Sequence, residues 1–62
     1  MPEHKAVRLS PDDARRYLLH QRHILQVLRS ELATTRNPDA VLRYIDFARL
    51  SIICAKRGYM LH

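Results

Sequence analysis

Hydrophobic positions along the chain fall into two helical ladders divided by a short polar gap. In the first, Ala14, Leu18, Gln21, Leu25, Leu28 and Leu32 follow one another at alternating steps of four and three. That spacing is the seam of a helix packed lengthwise on another. Tyr17 and Ile24 widen the seam on one side. In the second ladder Val41, Ile45, Ala48, Ile52 and Ala55 repeat the same spacing. Two matching seams joined by a short connection predict two antiparallel helices, because a short loop leaves neighbouring helices side by side and opposed.

The ends of both ladders carry the chemistry of helix termini. Ser10-Pro11-Asp12-Asp13 offers a cap, a proline suited to the first helical position, and two acids at the positive end of the helix dipole. Leu9 and Ala14 stand where a hydrophobic staple would form. Asn37-Pro38-Asp39 repeats this start. Thr34 and Thr35 fit a helix poorly, and Asn37 precedes a proline, so the first helix ends in this stretch, at Ala33 or Thr35. Lys56 and Arg57 suit a last turn and Gly58 a stop, with Tyr59 placed to fold back as the apolar contact of that cap. The expected fold class is therefore all-α. A helical hairpin spans residues 10–62, with helices over about 11–34 and 38–57, and residues 1–9, which have no sustained period, form a flexible arm.

The second helix has more apolar surface than one partner helix can cover. Beyond its seam, Phe47, Leu50, Ile53 and Cys54 form a further stripe, and Leu42 and Tyr44 fill part of the gap between the two. Arg43, Asp46, Arg49, Lys56 and Arg57 alone mark a wet edge. A helix apolar nearly all round is buried on more than one side. Left in water, the stripe forgoes about 1.5–3 kcal/mol per large side chain, which together rivals the stability of so small a domain. Tyr44, Phe47, Leu50, Ile53 and Cys54 are thus the candidate interface. The expected cover is a second copy, giving a homodimeric four-helix bundle.

Composition sharpens that expectation. Sixty-two residues make one domain, and chains of this size are marginal without a disulfide, a metal or oligomerisation. A single cysteine, Cys54, excludes an internal disulfide. No ligand set for a metal stands out, and no cofactor signature is present. The N-terminus lacks the apolar core of a secretory signal. The uncharged run Leu50–Ala55 is far shorter than a membrane span. With one buried-looking thiol, a cytoplasmic location is expected. The formal charge of +5 suits an anionic partner or simple solubility. It is spread along the chain: +1 before Ser10, +2 from Ser10 to Arg36, and +2 from Asn37 onward.

Arginine recurs every seven residues, at Arg8, Arg15, Arg22, Arg29, Arg36 and Arg43. On the first helix this lines up Arg15, Arg22 and Arg29 beside the seam, with Arg16 and His23 adjacent. Such a ridge can hold nucleic-acid phosphates. Equally, the stems can cover the edge of the seam while the charged heads stay in water. No aromatic residue interleaves the ridge, as single-strand stacking would require. His20 and His23 are three apart but lack a nearby Cys, Asp or Glu to complete a metal site. His4 and His62 fall at the chain ends. Cys54, between Ile53 and Ala55, reads as a small core residue rather than a reactive thiol. Gln21 on the seam either fixes register or marks an edge of the contact. The tail Tyr59-Met60-Leu61-His62 completes the core or docks on a partner.

The order of helix, short loop with Asn37-Pro38-Asp39, and then Val41-Leu42 resembles the small two-helix sporulation phosphatases of the Spo-zero-E type. Tyr44-Ile45-Asp46-Phe47-Ala48 stands here in place of their Ser-Gln-Glu-Leu-Asp signature. The arrangement is also similar in architecture to the dimeric helical-hairpin RNA binders of plasmid copy control. Both resemblances imply the hairpin alone, and fold does not confer function. No nucleophile–base pair, paired carboxylates or phosphate loop can be assembled, so the expected role is binding without catalysis. That leaves a small regulatory or adaptor protein, with nucleic-acid binding through the arginine ridge as the alternative.

Overall fold

The protein is described by a computed structural model over residues 5–61. His4 and His62, among the histidines weighed above, lie outside these residues. The chain runs β1 (Ala6–Arg8), α1 (Pro11–Leu32), α2 (Pro38–Lys56) and β2 (Tyr59–Leu61). It is mostly helical, and α1 and α2 pack against each other as a hairpin.

The caps are those the sequence specifies. The Ser10 hydroxyl accepts from the Asp13 N–H at 3.3 Å, and the Ser10 carbonyl accepts from Ala14 at 2.8 Å. Asn37 Oδ1 accepts from the Ala40 N–H at 3.4 Å. Between the helices, the N–H groups of Thr34 and Thr35 both donate to the Glu31 carbonyl, at 3.0 and 2.8 Å. The Asn37 N–H donates to Thr35 Oγ1 at 3.1 Å. The connection thereby satisfies orphan groups of both helix ends within a few residues.

The hairpin core is built from the two predicted seams. Leu25, Val41, Ile45 and Ala48 are its buried centre, with Ile24, Leu28, Leu32 and Ile52 packed around them. These large side chains gather toward the loop. Nearer the chain ends the seam narrows to small or polar residues: Ala14, Gln21, Ser51 and Ala55 are all buried.

Two departures concern the termini. Ala6–Arg8, expected within a flexible arm, form an antiparallel ribbon with Tyr59–Leu61 in the register Ala6↔Leu61, Val7↔Met60, Arg8↔Tyr59. Tyr59, expected to fold onto the last turn of α2, instead sits in β2 opposite Arg8. Gly58 is the cause. Its φ of 86° lies in the left-handed region open to glycine, and its N–H closes the helix on the Ala55 carbonyl at 3.0 Å. The chain then turns back toward the start of α1. There the Gly58 carbonyl accepts from the Leu9 N–H at 2.8 Å and seeds the ribbon. Three residues per strand are too few for a period-two pattern to show in the sequence. Met60 and Leu61 are half-buried against the helices.

All of this makes one layer. The molecule extends 38 × 28 × 11 Å, and its shortest dimension is about the diameter of a single helix. The radius of gyration is 12.5 Å, against the about 10.5 Å of a compact chain of this length. Domains ordinarily bury their elements between two packed layers. Here no second layer is supplied by the described residues.

Candidate interaction surfaces

On α2 the seam residues Val41, Ile45, Ala48 and Ala55 face α1 and are buried. The residues singled out as an interface point the other way. Tyr44 is 65 % exposed, Ile53 50 %, Leu50 46 % and Phe47 38 %, while Cys54 is half-buried. Leu42 is exposed beside them. At 100° per residue, Leu50 points directly away from the seam, with Cys54 about 40° and Phe47 about 60° round from it. Ile53 lies toward Leu42 on one flank, and Tyr44, on the opposite flank, stands at the margin of the seam in the angular range of Ser51 and Ala55. The five residues thus cover about half the circumference of the helix instead of one stripe, with Leu50 and Phe47 at the centre.

On α1, Arg15, Arg16, Arg22, His23 and Arg29 are all exposed. Arg15, Arg22 and Arg29 rise one above another at intervals of about 10.5 Å. No described acidic side chain is ion-paired with them. His20 is exposed as well, and no group of three metal-ligating side chains occurs among the described residues. Gln21 is buried in the middle of the seam and not at its margin.

Three surface or core features had no place in the sequence reading. Leu19 and Val27 are exposed apolar residues on the outer side of α1, visible in the sequence only as interruptions of a polar face. Ser51 is completely buried, and its Oγ has no hydrogen-bond partner among the described residues. Its three-residue step from Ala48 and four-residue step to Ala55 put it on the seam side, but its polarity concealed that.

No helix among the described residues is long and apolar enough to cross a membrane. No protein-family model matches the chain, and searches of curated proteins and of solved structures return no significant match.

Proposed function

We propose that this chain is a non-catalytic regulatory or adaptor module that works as a homodimer. In this reading the outer face of α2 packs against the same face of a second copy to complete a four-helix bundle. The observation that carries it is the distribution of side-chain size on α2. Three of its five fully buried positions are Ala48, Ser51 and Ala55, while Leu42, Tyr44, Phe47, Leu50 and Ile53 stand outward. A helix that turns larger apolar residues away from the helix it packs on, and keeps them exposed, is built for a further partner.

The dimensions favour a second copy as that partner. A second copy seated on Leu50, Phe47 and Tyr44 meets the edge of the layer at Leu50 and one broad side, of 38 × 28 Å, at Phe47 and Tyr44, and that side has room for the about 800 Å² per partner of a stable protein interface. Stacking on it would also supply the missing depth of a domain core. A cytoplasmic setting belongs to the same reading, since a thiol at Cys54 within such an interface is kept reduced there.

A second reading, nucleic-acid binding along Arg15, Arg22 and Arg29, draws on their exposure and regular rise along the flank of α1 beside the seam. The two readings are compatible, because pairing through α2 leaves this ridge in water. Light scattering at micromolar concentration tests the first: twice the chain mass is expected, and a well-folded monomer refutes it. Salt-sensitive retention of RNA or DNA, lost in an Arg15/Arg22/Arg29→Ala variant, tests the second.

A further inference from the structure

Near the ribbon, a shallow cleft of about 490 Å³, wide open to solvent, lies over the first turns of α1 and the last turn of α2. It exists because the residues meeting there are small: Ala14, Ala55 and Gly58 leave unfilled the space that leucine and isoleucine occupy nearer the loop. Its volume falls within the range of small-molecule sites, about 300–1,000 Å³. Leu18 completes an apolar floor with the two alanines.

The rim is cationic. Arg15 comes from α1, while Lys56 and Arg57 come from the far end of the chain, and among the described residues no carboxylate lines the cleft. Asp12 and Asp13 stand in the same first turn of α1. On the helical wheel, however, they point away from the side that carries Ala14 and Leu18. The backbone adds little net field, because the positive end of α1 lies beside the negative end of α2 and the two dipoles oppose. The side chains therefore set the sign. Three positive charges around one opening make it a favourable place for an anion.

We propose that this cleft binds a phosphate monoester carried on a small apolar or planar body. A phosphate monoester brings close to two negative charges and three acceptor oxygens. The two guanidinium forks grip it in bidentate fashion and the ammonium adds a point charge. Its organic part lies on Ala14, Leu18 and Ala55. A monocarboxylate of similar shape presents half the charge to the same three cations and binds more weakly. The site is independent of the dimer, since none of its lining residues belongs to the outer face of α2.

Phenyl phosphate is the probe, titrated into the full chain while the amide signals of Ala14, Ala55 and Gly58 are followed by NMR. Saturable shifts at those amides are expected, with benzoate weaker. In Arg15→Gln/Lys56→Gln/Arg57→Gln, checked for retained helicity by circular dichroism, affinity should fall about tenfold or more. Arg22→Gln/Arg29→Gln should bind as before. If the triple variant fails to fold, the single variants Arg15→Gln and Lys56→Gln carry the test, each weakening binding several-fold. Absence of saturable shifts overturns the proposal, as does equal binding of benzoate or equal loss in the Arg22/Arg29 variant. Oligonucleotides with and without a 5′-phosphate then distinguish sources. A gain from the phosphate identifies a strand end as the ligand, and no gain identifies a free monoester.

Discussion

The two sides of α2 differ in what their residues require. Toward α1 the helix presents Val41, Ile45, Ala48, Ser51 and Ala55, all buried, and the last three are small enough to let two backbones approach closely. Away from α1 it presents Leu42, Tyr44, Phe47, Leu50 and Ile53, all exposed. Exposed Arg43, Asp46 and Arg57 stand among them, so the outer side is mixed, whereas helices of single domains ordinarily turn their bulk inward. The inner side is sufficient to pair two helices. The outer side has more apolar surface than that pairing uses, and in water it is a cost of the isolated chain. The comparison teaches that the folding unit and the stable unit of this sequence differ in size.

The largest expected effect lies on the inner side. Ile45→Ala removes the bulkiest buried side chain of α2 from the centre of the core and should cost about 2–5 kcal/mol. In a domain of this size that is close to the whole stability. Thermal denaturation followed by circular dichroism should show helicity lost at or near room temperature. A shift of only a degree or two would mean that the hairpin seam contributes little and that the division between the two sides is misdrawn.

Next comes the outer side. Leu50→Lys places a charge at the middle of the proposed pairing face and should weaken association by about 2 kcal/mol or more, roughly thirtyfold. Its signature differs in kind from that of Ile45→Ala. The wild-type melting temperature should rise with protein concentration, because association stabilises the folded chain by mass action. Leu50→Lys should abolish that dependence and halve the mass seen by light scattering. Arg22→Ala, on the exposed ridge of α1, is the control and should change neither, since such surface substitutions shift stability by under about 0.5 kcal/mol. A concentration-independent wild-type melt would remove the outer side's claim to a second copy.

A smaller effect tests the ribbon. Gly58→Ala meets no steric obstacle around its new Cβ, so its cost comes from the positive φ alone, about 1–2 kcal/mol. Hydrogen exchange at Leu9, whose N–H is held by the Gly58 carbonyl, should quicken well before exchange in α2 does. Uniform quickening throughout the chain would show the ribbon to be part of the same cooperative unit as the hairpin.

How much of this was legible in the sequence follows from length scale. The helices span twenty residues or so, long enough for period, caps and breakers to agree, and Ser10, Asn37 and Gly58 act in the structure as their types suggest. The ribbon escaped because Ala6–Arg8 and Tyr59–Leu61 are each shorter than a detectable alternation, and their pairing depends on where Gly58 aims the chain. The outward placement of Leu50 and Ile53 was readable from spacing. So was the spread of the five candidate interface residues over half the helix, because three- and four-residue steps from different starting points drift around the axis; their actual exposure is what only the fold reveals. The cleft is a tertiary feature and has no linear signature. Arg15 and Lys56 stand forty-one positions apart, and only the antiparallel pairing of the helices brings them together.

The smallest expected effect returns to the inner side and concerns its one anomaly. Ser51 is fully buried, with no partner for its hydroxyl among the described residues. Such a group surrenders its hydrogen bonds to water on folding and regains none, a penalty of about 1–3 kcal/mol. The small side chain is nonetheless what the narrow part of the seam demands, since a leucine there would force the helices apart. Ser51→Ala keeps the size and removes the unsatisfied oxygen. It should leave the mass and the concentration dependence of melting unchanged while raising the melting temperature at every concentration, by up to a few degrees for about 1 kcal/mol. If Ser51→Ala instead destabilises the chain, the hydroxyl has a partner in solution. Since Ser51 stands on the α1 side of the helix and not on the pairing face, that partner would have to be sought within the hairpin.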